Sequence, residues 1–174
     1  MMKARLGIKF LSNNASYAVM DSPVGKLIIV TSTEGLHAIL WDSDSQDLTL
    51  LQHSNTDKTI VETKKQLTEY FAGQRKTFDL PLVINGTEFQ NKCWQQLLKI
   101  PYGKTMAYGE QAEHVGNKNK ARAVGAANGL NPISIVVPCH RVIGSNGHLV
   151  GFGGGLENKD YLLKLERAAT RTNL

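Results

Sequence analysis

Cysteine is scarce in this chain: among 174 residues only Cys93 and Cys139 carry a thiol. That scarcity excludes a disulfide-stapled scaffold and points to a reducing compartment. No CxxC pair or close Cys/His cluster is present, so no metal site is expected. Nor does any apolar run approach the ~20 residues a membrane span needs. The opening residues lack the apolar core and cleavage site of a signal peptide, so the expected location is cytoplasmic. There is no internal repeat and no low-complexity segment. Neither sign of charge dominates, with 20 Lys and Arg against 15 Asp and Glu for a formal +5. A balance of that size permits a polyanionic partner without demanding one. The remaining composition, 41% hydrophobic and 20% charged, is that of a globular chain long enough for one large domain or two small ones.

The two halves have different grammar. Tyr17 to Met20, Lys26 to Thr31 and Leu36 to Trp41 are β-rich runs separated by turn-like Asp21-Ser-Pro-Val-Gly25 and Ser32-Thr-Glu-Gly35, the pattern of a meander. Residues 42–57 are polar and read as a loop. Lys58 to Phe71 reads as an amphipathic helix, with Ile60, Val61, Leu67, Tyr70 and Phe71 apolar and Gly73 as its stop. Phe78 to Leu82 reads as a short extended piece. No convergent catalytic group appears in this half, and its expected job is scaffolding.

After Gly86 the pattern turns helical. Thr87-Glu-Phe-Gln90 fits a capping box opening a helix to about Lys99, with Phe89, Cys93, Leu97 and Ile100 on one face. On that face Cys93 reads as core. Tyr108 to Val115 and Asn119 to about Gly129 read as two short helices joined through Gly116, the outline of a helix-turn-helix. A last helix is expected from Leu156 to Ala168, with Leu156, Leu162, Leu163, Leu165 and Ala169 apolar.

Residues 131–147 carry the chemistry. Pro138 cannot donate to a strand ladder, so the apolar run before it should end there and present Cys139 at a bend. A thiol reacts as its thiolate, which neighbouring cationic and imidazole groups favour, and His140 and Arg141 follow at once. By itself a lone cysteine reads as buried core, and a glutamate such as Glu166 on a terminal helix as a solvated surface carboxylate.

Pro138-Cys-His-Arg-Val142, with Phe89-Gln90, Ile100-Pro-Tyr-Gly103, Ala121-Arg-Ala-Val-Gly125, Asn131-Pro132, Gly154-Gly155 and Glu166, gives the chain a family. It resembles the O6-alkylguanine-DNA alkyltransferases, also called methylated-DNA–protein-cysteine methyltransferases. The match is close over residues 86–168 and general over 1–85, and is nearest to the small single-function bacterial members, with nothing expected to be fused at either end. It implies an α/β ribonuclease-H-like scaffold domain at 1–85. A mainly α, winged-helix-like domain with a helix-turn-helix would follow at 86–174 and carry DNA binding and the alkyl acceptor. It implies a monomer that needs no cofactor and acts on double-stranded DNA carrying O6-alkylguanine or O4-alkylthymine.

The resemblance also assigns roles. Cys139 is the nucleophile, His140 its base through an ordered water, and Glu166 the group that orients the imidazole. Tyr108 serves the N3 edge of the departing base, and Asn131 braces the turn ahead of Cys139. The Gly153 N–H meets O6, while carbonyls near Cys139 and Val142 take the exocyclic amine. Arg122 fills the gap left by a flipped nucleotide. Ala121, Ala123, Gly125, Ala126 and Ala127 let their helix approach the minor groove. Four departures from the family pattern stand out. Ala107 replaces a frequent Ser, Asn117-Lys118-Asn119-Lys120 replaces an Asn-Pro-Lys, Phe152 replaces a frequent Tyr, and Ser134 replaces a Pro of some animal members. Phe152 and Ser134 suggest a roomier pocket that accepts groups larger than methyl.

Three rival readings share parts of this sequence pattern: a lesion-binding sensor that transfers nothing, a Cys/His thiol hydrolase, and a helix-turn-helix transcription regulator. The presence of Cys139 argues against the first, and no peptide or ester site supports the second. The third predicts sequence-specific binding, whereas repair predicts weak, salt-dependent, sequence-tolerant binding.

Overall fold

The computed structural model describes residues 14–42 and 48–171. Two compact units are present: the first holds the described residues up to Ile84 together with Pro132–Ser134, and the second holds Asn85–Asn131 and the described residues from Ile135 onward.

In the first unit β1 (Ser16–Met20), β2 (Leu27–Ser32) and β3 (Gly35–Trp41) form the antiparallel meander, and β4 (Gln52–His53) adds in parallel to β1, giving the order β3-β2-β1-β4. β4 and its ladder correct the expectation of a loop throughout 42–57; residues 43–47 lie outside the described ones. β2 and β3 are buried along their whole length, as a sheet covered on both faces requires. The period of two puts Ile28, Val30, Ala38 and Leu40 on one face with Ala15 and Leu51. Leu27, Ile29, Ile39 and Trp41 point the other way.

Helix α1 (Lys58–Phe71) packs on strands β1–β3 and is opened by Asp57, whose carboxylate accepts from the Ile60 N–H. Its buried stripe is Ile60, Thr63, Leu67 and Tyr70, with Gln66 beside it, while Val61 is exposed. This corrects the apolar face read from the sequence: Val61 falls off the 60-63-67-70 line, and polar Thr63 and Gln66 fall on it. Gln66 is tolerated there because both ends of its amide are used, Nε2 donating to the Asp79 carbonyl and Oε1 accepting from the Asp79 N–H, each at 2.9 Å. That pair fixes the segment ending in Leu82, which bridges Leu36 in parallel.

In the second unit α2 (Glu88–Leu97) has the full capping box of Thr87 and Gln90. Next come β5 (Met106–Ala107), α3 (Tyr108–His114), a 3-10 turn at Lys118–Lys120, α4 (Ala121–Gly129), a 3-10 turn at Cys139–Arg141, β6 (Val142–Ile143) and α5 (Leu156–Arg171). β5 and β6 pair in parallel. The fold class is therefore the expected one, an α/β unit followed by a mainly helical unit with a helix-turn-helix in α3–α4.

Buried amides set the angle between the helices. Gln111 on α3 and Asn128 on α4 bond reciprocally at 2.7 and 3.2 Å, and Gln111 Nε2 also reaches the Cys93 carbonyl on α2. Trp94 Nε1 on α2 donates to the Ala127 carbonyl at 2.9 Å. Asn128→Leu strands the Gln111 amide and should cost about 1–3 kcal/mol in urea unfolding. Adding Gln111→Leu should return part of that loss; a fully additive pair would mean the amides are not coupled.

Candidate active site

The apolar run ahead of Pro138 is not the continuous strand its β-branched residues suggest. The chain turns at Ile135, which has φ 74°. A β-branched residue there is strained, at a cost of order 1–3 kcal/mol. Full burial of Ile133 and Ile135 gives the hydrophobic gain that holds it. Cys139 then opens a 3-10 turn with its amide N bonded to the Val137 carbonyl at 2.9 Å.

Three elements meet behind that turn. Glu166 of α5 is 0% exposed, and its carboxylate is satisfied on both oxygens. Oε1 lies 2.7 Å from His140 Nε2 and accepts from Arg141 Nε and Nη2 at 3.2 and 3.0 Å. Oε2 accepts from Arg141 Nε at 3.0 Å and the Gly103 N–H at 2.9 Å. Arg141 Nη1 donates to the Ile100 carbonyl at 2.7 Å. Burial alone would raise the Glu166 carboxyl, but these partners outweigh it and hold it down at about 2. For His140, itself 0% exposed, burial dominates and lowers its affinity for a proton, with the nearby cations Arg141 and Lys159 acting in the same sense. The imidazole is thus neutral at neutral pH. An ionised Glu166 can only accept, so Nε2 carries the ring proton and Nδ1 is a lone-pair acceptor. Nδ1 is buried and has no hydrogen-bond partner among the described residues.

Cys139 is 7% exposed, and the Asn131 amide donates to its sulfur at 3.2 Å and to the Val137 carbonyl at 2.8 Å. Tyr108, first residue of α3, donates from its hydroxyl to the Val150 carbonyl at 3.0 Å. Burial, then the charge of Cys139, pushes its phenol up to about 12, so it keeps its proton throughout the neutral range. Ala107 supplies no side-chain cap to α3, as the absence of a hydroxyl there dictates. Gly125 on α4 faces the Tyr108 ring, to which an added Cβ would stand 3.7 Å away.

The remaining candidates fall in two groups. Phe152 lies edge-on to His140 with ring centroids 6.4 Å apart, Gly153 follows it, and Val142 is fully buried beside Cys139. On α4, Arg122, Ala123 and Ala126 are exposed, and Ala121 and Gly125 are half-buried, opposite the buried Val124, Ala127 and Asn128. Ser134 is buried in the Pro132–Ser134 segment, which belongs to the first unit. Among the described residues no cluster of His, Cys, Asp or Glu is placed to hold a metal ion.

Two residues were missed. Arg141 read only as a charge near the thiol, yet it is the main partner of Glu166. Lys159 is fully buried on α5, its ammonium donating to the carbonyls of Val142 (2.6 Å), Val150 (2.9 Å) and Gly151 (3.3 Å). The available signal was spacing: Lys159, Leu162, Leu163 and Glu166 share one helical stripe, so two charges sit where apolar residues belong. That same burial overturns the solvated reading of Glu166.

A thiol flanked by a neutral imidazole and an amide donor, on the unit that carries a helix-turn-helix, defines a cysteine-centred group-transfer protein. Residues 15–84 match the family model for the ribonuclease-like domain of 6-O-methylguanine DNA methyltransferase, and residues 88–168 match that for its DNA-binding domain. A methylated-DNA–protein-cysteine methyltransferase of Methanosarcina acetivorans is 44% identical, covering 86% of this chain and 97% of its own. One from Mycobacterium leprae is 46% identical over 89% and 94%. The solved structure of Mycobacterium tuberculosis OGT in complex with DNA superposes with a TM-score of 0.83 at 42% identity, covering 88% of this chain and 94% of that one. The chain belongs to the methylated-DNA–protein-cysteine methyltransferase family.

The electrostatics give a stability prediction. Between pH 4.5 and about 2 the Glu166 carboxylate of the folded chain binds fewer protons than that of the unfolded chain, so stability should fall as pH drops through that window. Glu166→Gln should cost about 3–5 kcal/mol at neutral pH, because Arg141 is left buried and unmatched. Its urea-unfolding curve should then lose less on further acidification; parallel losses would contradict the assignment.

Proposed function

We propose that this chain repairs DNA by direct, irreversible transfer of a methyl or larger alkyl group from O6 of guanine, or O4 of thymine, to the sulfur of Cys139. The observation that supports the reading is a neutral His140 next in sequence to Cys139, its Nδ1 unbonded among the described residues, with the Asn131 amide donating to the Cys139 sulfur. His140 takes the thiol proton through a water, and the thiolate attacks the alkyl carbon. The C–O6 bond breaks with its electron pair going to the guanine ring. Tyr108, protonated well above neutral pH, donates at N3 to the departing base. Reaching the base means leaving the Val150 carbonyl, which Lys159 also holds. The product is a thioether that is not turned over, so each chain acts once.

The reacting atom lies inside a base stack, and rotating it out costs a few kcal/mol. Arg122 fills the gap, while Ala121, Ala123, Gly125 and Ala126 bring α4 close to the minor groove. Val142, Phe152 and Gly153 line the pocket, whose missing tyrosine hydroxyl at Phe152 makes room for groups larger than methyl. Residues 86–174 carry this work, 1–85 serve as scaffold, and the chain acts as a cytoplasmic monomer.

The test is peptide mass spectrometry after mixing the protein with a duplex carrying O6-methylguanine. The tryptic peptide Ala123–Arg141 should gain a single methyl, one per protein, and Cys139→Ser should bind the duplex without gaining any. An unmodified peptide from DNA-binding wild-type protein would favour a lesion sensor. Arg122→Ala should slow transfer from duplex far more than from free O6-methylguanine; equal slowing would remove its role in the stack.

A further inference from the structure

One buried cation of the second unit has no carboxylate partner among the described residues. Glu166 is matched by Arg141, which grips both its oxygens. His140 is neutral because burial lowers its proton affinity. A second cation, Lys159, is buried as deeply, and its hydrogen bonds all run to main-chain carbonyls, of Val142, Val150 and Gly151. Among the described residues no carboxylate forms an ion pair with it. Three carbonyl dipoles soften the cost of burying an ammonium but do not neutralise it. Lys159 also stands 5.7 Å from the centroid of the Tyr108 ring, on the Cys139 side of the unit through its bond to Val142.

We propose that Lys159 is the counter-cation of the Cys139 thiolate: a positioning residue whose buried positive charge, held on the Val142 carbonyl, favours passage of the thiol proton from Cys139 to His140. The titratable groups nearest it are Cys139 and His140 on the 3-10 turn and Tyr108 on α3, with Glu166 two turns further along the same stripe of α5. Only Cys139 can supply a compensating anion, since Glu166 is taken and Tyr108 keeps its proton. Consistent with this, burial pulls Lys159 down to about 8 while the charge of Cys139 opposes the fall. Alkylation replaces the thiolate by a neutral thioether and leaves the Lys159 charge uncompensated. The spent protein then carries an electrostatic penalty besides the bulk of the alkyl group. The inference rests on Cys139 being the reactive group, but not on the identity of the alkyl donor.

The experiment uses iodoacetamide and no DNA, so its failure is separable from failure of alkyl transfer. Carboxamidomethylation of Cys139 is followed across pH on the Ala123–Arg141 peptide in wild type, Lys159→Met and Lys159→Arg, with melting curves confirming the fold. In Lys159→Met the rate at pH 7 should fall about tenfold or more, with its pH midpoint moved upward, as loss of a nearby opposite charge demands; Lys159→Arg should retain most of the reactivity. A folded Lys159→Met with the wild-type profile would overturn the proposal. Should that variant not fold, lysine 13Cε NMR on unaltered protein decides: capping Cys139 with iodoacetamide should move the Lys159 titration to lower pH. An unchanged Lys159 titration would equally overturn it.

Discussion

A carboxylate buried without solvent is the constraint on which the second unit turns. Glu166 on α5 joins the Ile100–Gly103 segment, through the Gly103 N–H, to the 3-10 turn at Cys139–Arg141, through His140 and Arg141. Its lone pairs must all be satisfied, since an unpaired buried charge costs several kcal/mol. The arrangement therefore has few alternatives. Fixing Glu166 fixes the ring of His140, its tautomer, and the direction in which Nδ1 presents a lone pair. Arg141 carries the charge balance, which frees His140 to stay neutral. The base role proposed for His140 needs an unprotonated ring, and burial, with Arg141 and Lys159 nearby, outweighs the opposing pull of Glu166 to keep it so.

The same unit binds this chemistry to the helix-turn-helix. Tyr108 opens α3 and faces Gly125 on α4, while Gln111 and Asn128 lock the two helices through reciprocal amides. Under the proposed function, a displacement of α4 by DNA bears directly on Tyr108, the donor assigned to the departing base. Lys159 completes the set by holding the Val142 and Val150 carbonyls, one beside the thiol and the other beneath the tyrosine hydroxyl. Cys139, Tyr108 and α4 are thus positioned by buried polar groups rather than by packing alone. That is also why single losses among those groups should be costly.

Much of the fold was legible in the sequence because its signals are local. Alternation and turn residues mark β1–β3, Asp57 and the 60-67-70 spacing mark α1, and Thr87 with Gln90 marks the start of α2. What escaped depends on partners distant in sequence. β4 is two residues that gain strand geometry only from β1. Ile133 to Val137 has the composition of a strand, yet tertiary burial forces a turn at Ile135. Val61 has an apolar side chain at the wrong angle for the core. In the site, Cys139 with His140 and Arg141 announced reactive chemistry, whereas Glu166 was assignable only through family resemblance. Lys159 is marked only by its place on the apolar stripe of α5, since a lone lysine on a helix is normally solvated and its carbonyl partners carry no sequence signature.

The central claim, that an ionised Glu166 holds a neutral His140 with its proton on Nε2, is most directly tested by 15N NMR of the histidine side chains. His140 should show a protonated Nε2 and a bare Nδ1 at neutral pH, and should remain so as pH falls below the ordinary histidine value of 6.5. Two protonated ring nitrogens at neutral pH would make His140 a cation that cannot take the thiol proton, and would contradict the account.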